Sequence, residues 1–342
     1  MFPGLLTRTA VAFAVVAIAT SVTSAQPVEK HDITIAVSGP PAQLYFLPVV
    51  LAKQLGYFDG AGVNVELQHF NAGSKALESM IGGSADIVAG AYENTIRMQA
   101  RGVRLESIAL FGRYPENVLG IARWAAPSYH APADLKGKTI GITGPGAATQ
   151  TFLNLILENA GLQPSDVVPV TVGAGAVAVA AMRRSNELFA ISNLDLAISE
   201  LAMAGDIVIA FDSRTEQGTR AVYGGDYASG SLYTTASFVQ KNPRTAQAVA
   251  TAMVRTLKWM KGATAQEITA RLPADFYQAN PAVYGEALKN NLPSFSPDGL
   301  MPKGAPENVL RAMVKFNPDI AKANPDVRTT WTNEFVERAQ GN

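Results

Sequence analysis

The sequence predicts an α/β protein of two doubly wound lobes, joined by a hinge and separated by an interlobe cleft. Three observations carry that prediction. Short β-rich runs alternate with helical stretches, the β-α-β-α-β order occurs twice, and the strand runs lead into glycine-bearing turns. Alternating strands and helices imply parallel sheets with right-handed crossovers. In such sheets ligands bind beyond the C-terminal strand ends, where helix N-termini present free N–H groups. Two facing copies make a cleft, a preferred place for a small ligand.

The chain opens with Arg8, an unbroken apolar run from Ala10 to Ala19, and the small residues Thr23-Ser24-Ala25 before Gln26-Pro27. That order describes a cleavable signal peptide over residues 1–25. The apolar run is too short for a membrane anchor, which needs about twenty residues. With no cysteine at the cleavage point, a lipid anchor is excluded, and the expected location is the periplasm.

The remaining chain suffices for two domains of ordinary size. The full sequence has 28 basic residues, Arg8 among them, against 28 acidic ones, so nothing supports binding to nucleic acid through a basic face. Zero cysteines exclude disulfides and thiol chemistry. His31, His69 and His130 are scattered without metal-ligand spacing, so no metal and no cofactor are expected.

The repeat begins at Thr34-Ile35-Ala36-Val37-Ser38-Gly39-Pro40, which is echoed by Thr139-Ile140-Gly141-Ile142-Thr143-Gly144-Pro145. Each reads as a buried strand entering a loop. Helical stretches follow, from Phe46 to near Gly56 and from Phe152 to Gly161. Second strands are expected at Val63–Phe70 and Val167–Val172, then helices reaching Met80 and Met182. Third strands are read at Ala85–Ala89 and Leu188–Ile191. Fourth runs end at Phe111 and Phe211, just before Arg113 and Arg214. A last strand over Leu232–Val239 returns the chain to the first lobe. Helices then start at Asn242-Pro243, Asn280-Pro281, Pro306 and Asn324-Pro325, where a cap and a first-turn proline coincide. The expected domains are therefore 1–25 signal peptide, 26–118 first lobe, 119–225 second lobe, and 226–342 the return strand and C-terminal helices. Crossings are expected near Val118–Ala122 and Tyr223–Tyr227.

Leu51-Ala52-Lys53-Gln54-Leu55-Gly56-Tyr57-Phe58, Asn71-Ala72-Gly73-Ser74, Gly83-Ser84-Ala85-Asp86-Ile87 and Asp134-Leu135-Lys136-Gly137-Lys138-Thr139-Ile140-Gly141 are distinctive stretches. With them the chain resembles the nitrate/sulfonate/taurine group of ABC-transporter binding proteins, which includes binders of pyrimidine precursors and aromatic acids. The resemblance implies a type II periplasmic-binding-protein fold and hinge closure on a small organic anion or planar heterocyclic solute. It also implies an inner-membrane permease and ATPase as partners of a monomeric binding protein. Two other classes stay open: a periplasmic sensor subunit, and a pyrimidine-synthase-like enzyme on the same fold. The enzymes of that fold use histidine and cysteine near a bound cofactor, and this chain has no cysteine and no histidine cluster.

The strand ends nominate the ligand contacts. Ser38 and Gln43, with Tyr45 as an aromatic wall, follow the first strand, although a simple turn explains the same residues. Asn71, Gly73 and Ser74 precede a helix, where Ser74 either meets ligand or caps. In the second lobe Gly146, Ala147, Ala148, Thr149 and Gln150 leave room before a helix. They lack the lysine of a phosphate-binding loop. Tyr92, Glu93 and Asn94 match Asn193 and Asp195. Two acids near the cleft suit a ligand that also presents N–H or ammonium groups, unless they cap helices. Arg113 and Arg214 end equivalent strands, either gripping a carboxylate or sulfonate with two hydrogen bonds or making structural ion pairs. Tyr223 either stacks on a planar ligand or packs in the core.

Overall fold

Ten strands build two sheets among the described residues, which in this computed structural model are 26–70, 73–277 and 279–341. The expected signal peptide lies outside them. The first sheet holds β1 (Asp32–Val37), β2 (Asn64–His69), β3 (Ile87–Ala91) and β4 (Leu105–Leu110). The second holds β5 (Val118–Ala122), β6 (Thr139–Ile142), β7 (Val168–Thr171), β8 (Leu188–Asn193) and β9 (Ile207–Asp212). β10 (Gly230–Thr235) belongs to the first sheet.

The sheet orders are β2-β1-β3-β10-β4 and β7-β6-β8-β5-β9. β1 runs parallel to β2 and β3, with Ile35 opposite both Leu67 and Ile87. β6 stands in the same relation to β7 and β8. Each sheet then accepts one antiparallel strand from the chain that has just crossed over: β10 between β3 and β4, β5 between β8 and β9. β5 and β8 are buried along their whole length, as strands covered on both faces must be.

This exchange corrects the expected position of the first crossing. Val118–Ala122 is not the passage between lobes but a full member of the second sheet, Val118 pairing with Asn193 and Asp212. The chain passes between sheets over 111–117 and again between 212 and 230. Two other expectations also change. The return strand stops at Thr235 rather than Val239, because the Thr235 hydroxyl accepts the Phe238 N–H and caps the helix Ala236–Lys241. Asn324 ends the helix Pro318–Ala323 instead of starting one, adopting the left-handed conformation at φ 45°.

The cores follow the sheets. Ile33, Ile35 and Val37 pack with Val249, Met253 and Leu257, one stripe of the helix Pro243–Gly262. Ile140, Ile142 and Ile191 pack with Phe152, Leu153 and Ile156 from the helix Ala148–Asn159. Complete burial of a side chain such as Phe152 contributes about 1.5–3 kcal/mol. That second cluster also takes in Tyr92 and Ile96 from the first sheet's side. Val309 and Met313 join it from the C-terminal helix Ala305–Phe316, so the C-terminal segment packs on both lobes.

Candidate functional site

The C-terminal ends of β1, β3 and β8, with the helix that follows β6, meet at one cavity of about 280 Å³, lined from both lobes and both crossings. Ser38, one residue past β1, forms part of one wall. Gly90 in β3 makes its approach possible, since a Cβ there would lie 2.8 Å from both Ser38 Oγ and Tyr233 Oη. Glu93 and Asn94 follow β3, and Gly73 opens the neighbouring helix Gly73–Ile81. A side-chain methyl on Gly73 would come 3.7 Å from Ser38 Cβ, so its absence enlarges the cavity.

Gln43, Tyr45 and Phe46 close a second side. Tyr45 is held edge-on against Phe46 and Phe111, and its hydroxyl lies 2.8 Å from Ser229 Oγ. The crossings supply Pro115 and Asn117, then Tyr227, Ala228 and Ser229. The second lobe contributes Ala148, at the start of its helix, and Leu194 just after β8.

Among the described lining residues Glu93 is the one ionisable acid or base group apart from tyrosine hydroxyls, and none is an arginine or lysine. Tyr227 donates its hydroxyl to Glu93 Oε1 at 2.7 Å. Burial, with the Glu93 charge beside it, pushes the Tyr227 phenol well above its ordinary value and keeps it a donor. Asn94 donates to Tyr233 Oη at 3.0 Å and accepts from Arg97 at 2.9 Å. Ser38 Oγ and Asn117 Oδ1 are buried without a hydrogen-bond partner. Such atoms are uncommon in native interiors and call for a partner.

Seven residues nominated from sequence line this cavity together: Ser38, Gln43, Tyr45, Gly73, Glu93, Asn94 and Ala148. Asn71 lies outside the described residues. The others are placed elsewhere, each for a visible reason. Ser74 is exposed on its helix. Tyr92 is fully buried, its hydroxyl 2.5 Å from Thr330 Oγ1. Thr149 turns its hydroxyl back to Thr143, and Gln150 accepts the Gly146 N–H at 2.7 Å, so Gly146 and Ala147 serve the turn. Asn193 donates to the Gly173 carbonyl and accepts the Leu194 N–H. Asp195 sits behind the lining, and Tyr223 stacks on Phe152 in the core.

Neither arginine reaches the cleft surface. Arg214 is bound by Asp212 through Nε at 2.9 Å and Nη2 at 2.6 Å. Arg113 lines a separate cavity of about 360 Å³ beside Leu257 and Phe295. Sequence reading missed Asn117, Tyr227 and Ser229. The signal for Tyr227 was its place beside the second crossing, where a strand entry must skirt the cleft.

A family model described as NMT1/THI5 like matches residues 43–265. A solved structure from Bordetella bronchiseptica RB50 is 42% identical, covers 92% of this chain and 99% of its own, and superimposes with a TM-score of 0.81. The periplasmic aliphatic sulphonate binding protein SsuA from Escherichia coli is 20% identical, covering 88% of this chain and 92% of its own at a TM-score of 0.69. A Bacillus subtilis (strain 168) protein named as binding protein YtlA is 20% identical over 264 residues, 75% of this chain and 76% of that protein. The fold is that of the periplasmic binding proteins.

Proposed function

The chain belongs to the NMT1/THI5-like family, and on that footing we propose that it is the extracytoplasmic solute-binding subunit of an ABC importer. It captures a small planar solute between its lobes and presents the closed form to a permease and its ATPase. The observation that supports this reading most is the convergence of buried, unpartnered Ser38 Oγ and Asn117 Oδ1 with Glu93 on one interlobe cavity. A solute bearing N–H groups would satisfy all three, and Tyr45 and Tyr227 add aromatic groups to the lining around it.

The sequence left anion and heterocycle open, and the cleft's charge favours the second. The charged side chain of the lining is the Glu93 carboxylate, an acceptor for N–H groups, with Arg97 3.9 Å from its second oxygen and outside the lining. The sulphonate named for the Escherichia coli protein is therefore not the solute proposed for this chain. Binding rather than catalysis is the reading, supported by a lining of amides, hydroxyls and one carboxylate.

A thermal-shift screen tests this across nitrate, sulfonates, carboxylates and amino-substituted pyrimidines. A ligand at 100 times its Kd should stabilise the protein by about 2.7 kcal/mol. Stabilisation by an N–H-bearing heterocycle supports the reading. Stabilisation by nitrate or sulfonates alone contradicts it.

A further inference from the structure

Directly behind the cleft lining, two carboxyl groups face each other in the protein interior. Glu116 stands between Pro115 and Asn117 and is fully buried; Asp195 follows Leu194 and is 6% exposed. They belong to different parts of the chain's path. Glu116 lies on the first crossing and is tied to the first lobe, its Oε1 accepting from Ser294 Oγ at 2.6 Å. Asp195 begins the second-lobe helix Asp195–Met203, with the backbone N–H of Tyr45 from the first lobe facing its carboxyl.

Two independent features mark the contact. Glu116 and Asp195 are two of the three non-glycine residues with positive φ among the described residues, at 63° and 42°. Backbone strain of that kind persists only where the surroundings over-determine it. Counted as carboxylates, Glu116 Oε2 and Asp195 Oδ1 are both buried with no partner, and each carboxyl lies close enough to perturb the other. A single hydrogen placed between them satisfies both atoms at once.

We propose that Glu116 and Asp195 share one proton, and that this proton fastens the second lobe to the first along the seam behind the cleft. The surrounding charges agree with one negative charge on the pair rather than two. Arg214, 4% exposed and already holding Asp212, is the cation that faces both carboxyls. The Tyr45 and Tyr284 hydroxyls are the other titratable groups facing them, and burial keeps both phenols protonated. Burial, then the Asp195 charge, pushes Glu116 well above the ordinary carboxylate range. For Asp195 burial pushes up, while the hydrogen bond from Glu116 and the Arg214 charge pull down. Both carboxyls are thus pushed above the ordinary carboxylate range, and the proton belongs to the pair. Release of the proton to solvent leaves two carboxylates in contact, which low-dielectric surroundings do not tolerate.

The proposal rests on the two-lobe closure reading above, but the proton and the seam are measurable without any ligand. Carbon-13 NMR of the glutamate carboxyls, with Glu116→Gln for assignment, should show one glutamate titrating well above the exposed ones, which titrate near about 4.3. Small-angle scattering of ligand-free protein should show the radius of gyration rising as pH passes through that raised titration in the wild type and constant in Glu116→Gln, whose amide donates permanently. Asp195→Asn is the second variant, since asparagine tolerates positive φ. A Glu116 carboxyl that titrates with the exposed glutamates overturns the proposal. So does a scattering profile that responds to pH identically in wild type and both variants.

Discussion

Asp212 grips Arg214 from two residues away, its two oxygens taking Nε and Nη2 at 2.9 and 2.6 Å while the Arg214 N–H bonds the same carboxylate. The guanidinium is thereby a fixed part of the wall behind β9 and not a hand extended to ligand. Arg214→Ala should lower stability by about 3 kcal/mol, the lower end of the range for breaking a buried pair because Asp212 keeps some solvent. Affinity should change less than about threefold. Melting curves and calorimetric titrations on the same preparation separate the two effects.

Glu93 is expected to show the reverse pattern. Its carboxylate lines the cleft and takes the Tyr227 hydroxyl, so Glu93→Gln removes a charge-assisted hydrogen bond to the solute. Such bonds contribute about 1.5–3 kcal/mol, which corresponds to roughly 10- to 100-fold in affinity. Melting temperature in the absence of ligand should move little. A calorimetric titration in which Glu93→Gln binds as tightly as wild type would remove Glu93 from the site.

The β-α-β repeat was readable because strands covered on both faces are continuous apolar runs, and Ile35 and Ile140 sit in two copies of the same run. Helix stops at Gly56 and Gly161 were readable for the same local reason, both adopting positive φ. What stayed hidden depends on pairings across the chain. β5 reads as an apolar run anywhere, and only its partners Asn193 and Asp212 decide which sheet it enters. The equivalence of Arg113 and Arg214 in sequence was real, yet the Asp212 carboxylate and the apolar floor at Leu257 and Phe295 send them to different places. Tyr227 meets Glu93 across 134 residues of chain, and no local pattern announces that meeting.

Stability should depend on pH through Glu116. Its folded value is raised by burial, so between the ordinary glutamate value and that raised one the folded state holds a proton that the unfolded chain does not. The contribution is complete below the ordinary value and is lost as pH rises through the folded one. Wild-type melting temperature should therefore decline from pH 5 to pH 9, and Glu116→Gln should flatten the slope. Equal slopes would assign the decline to other groups.

Processing is a separate prediction. Protein recovered from the exporting cell should begin at or within a few residues of Gln26, because the small residues Thr23-Ser24-Ala25 precede it. Intact-mass analysis decides; exported protein that retains Met1 contradicts the expected leader.

The solute is expected to lie between the lobes. Ala148, at the start of its helix, lines with Leu194 the second lobe's side of the cavity of about 280 Å³ that Ser38 and Gly73 also line. Calorimetric titration of a solute identified by the screen, against wild type, Ala148→Trp and Arg113→Ala, tests that placement most directly. One solute per chain, binding abolished by Ala148→Trp and unchanged by Arg113→Ala, is the predicted result. Full binding to Ala148→Trp with loss in Arg113→Ala would contradict it and put the solute in the cavity beside Leu257 and Phe295.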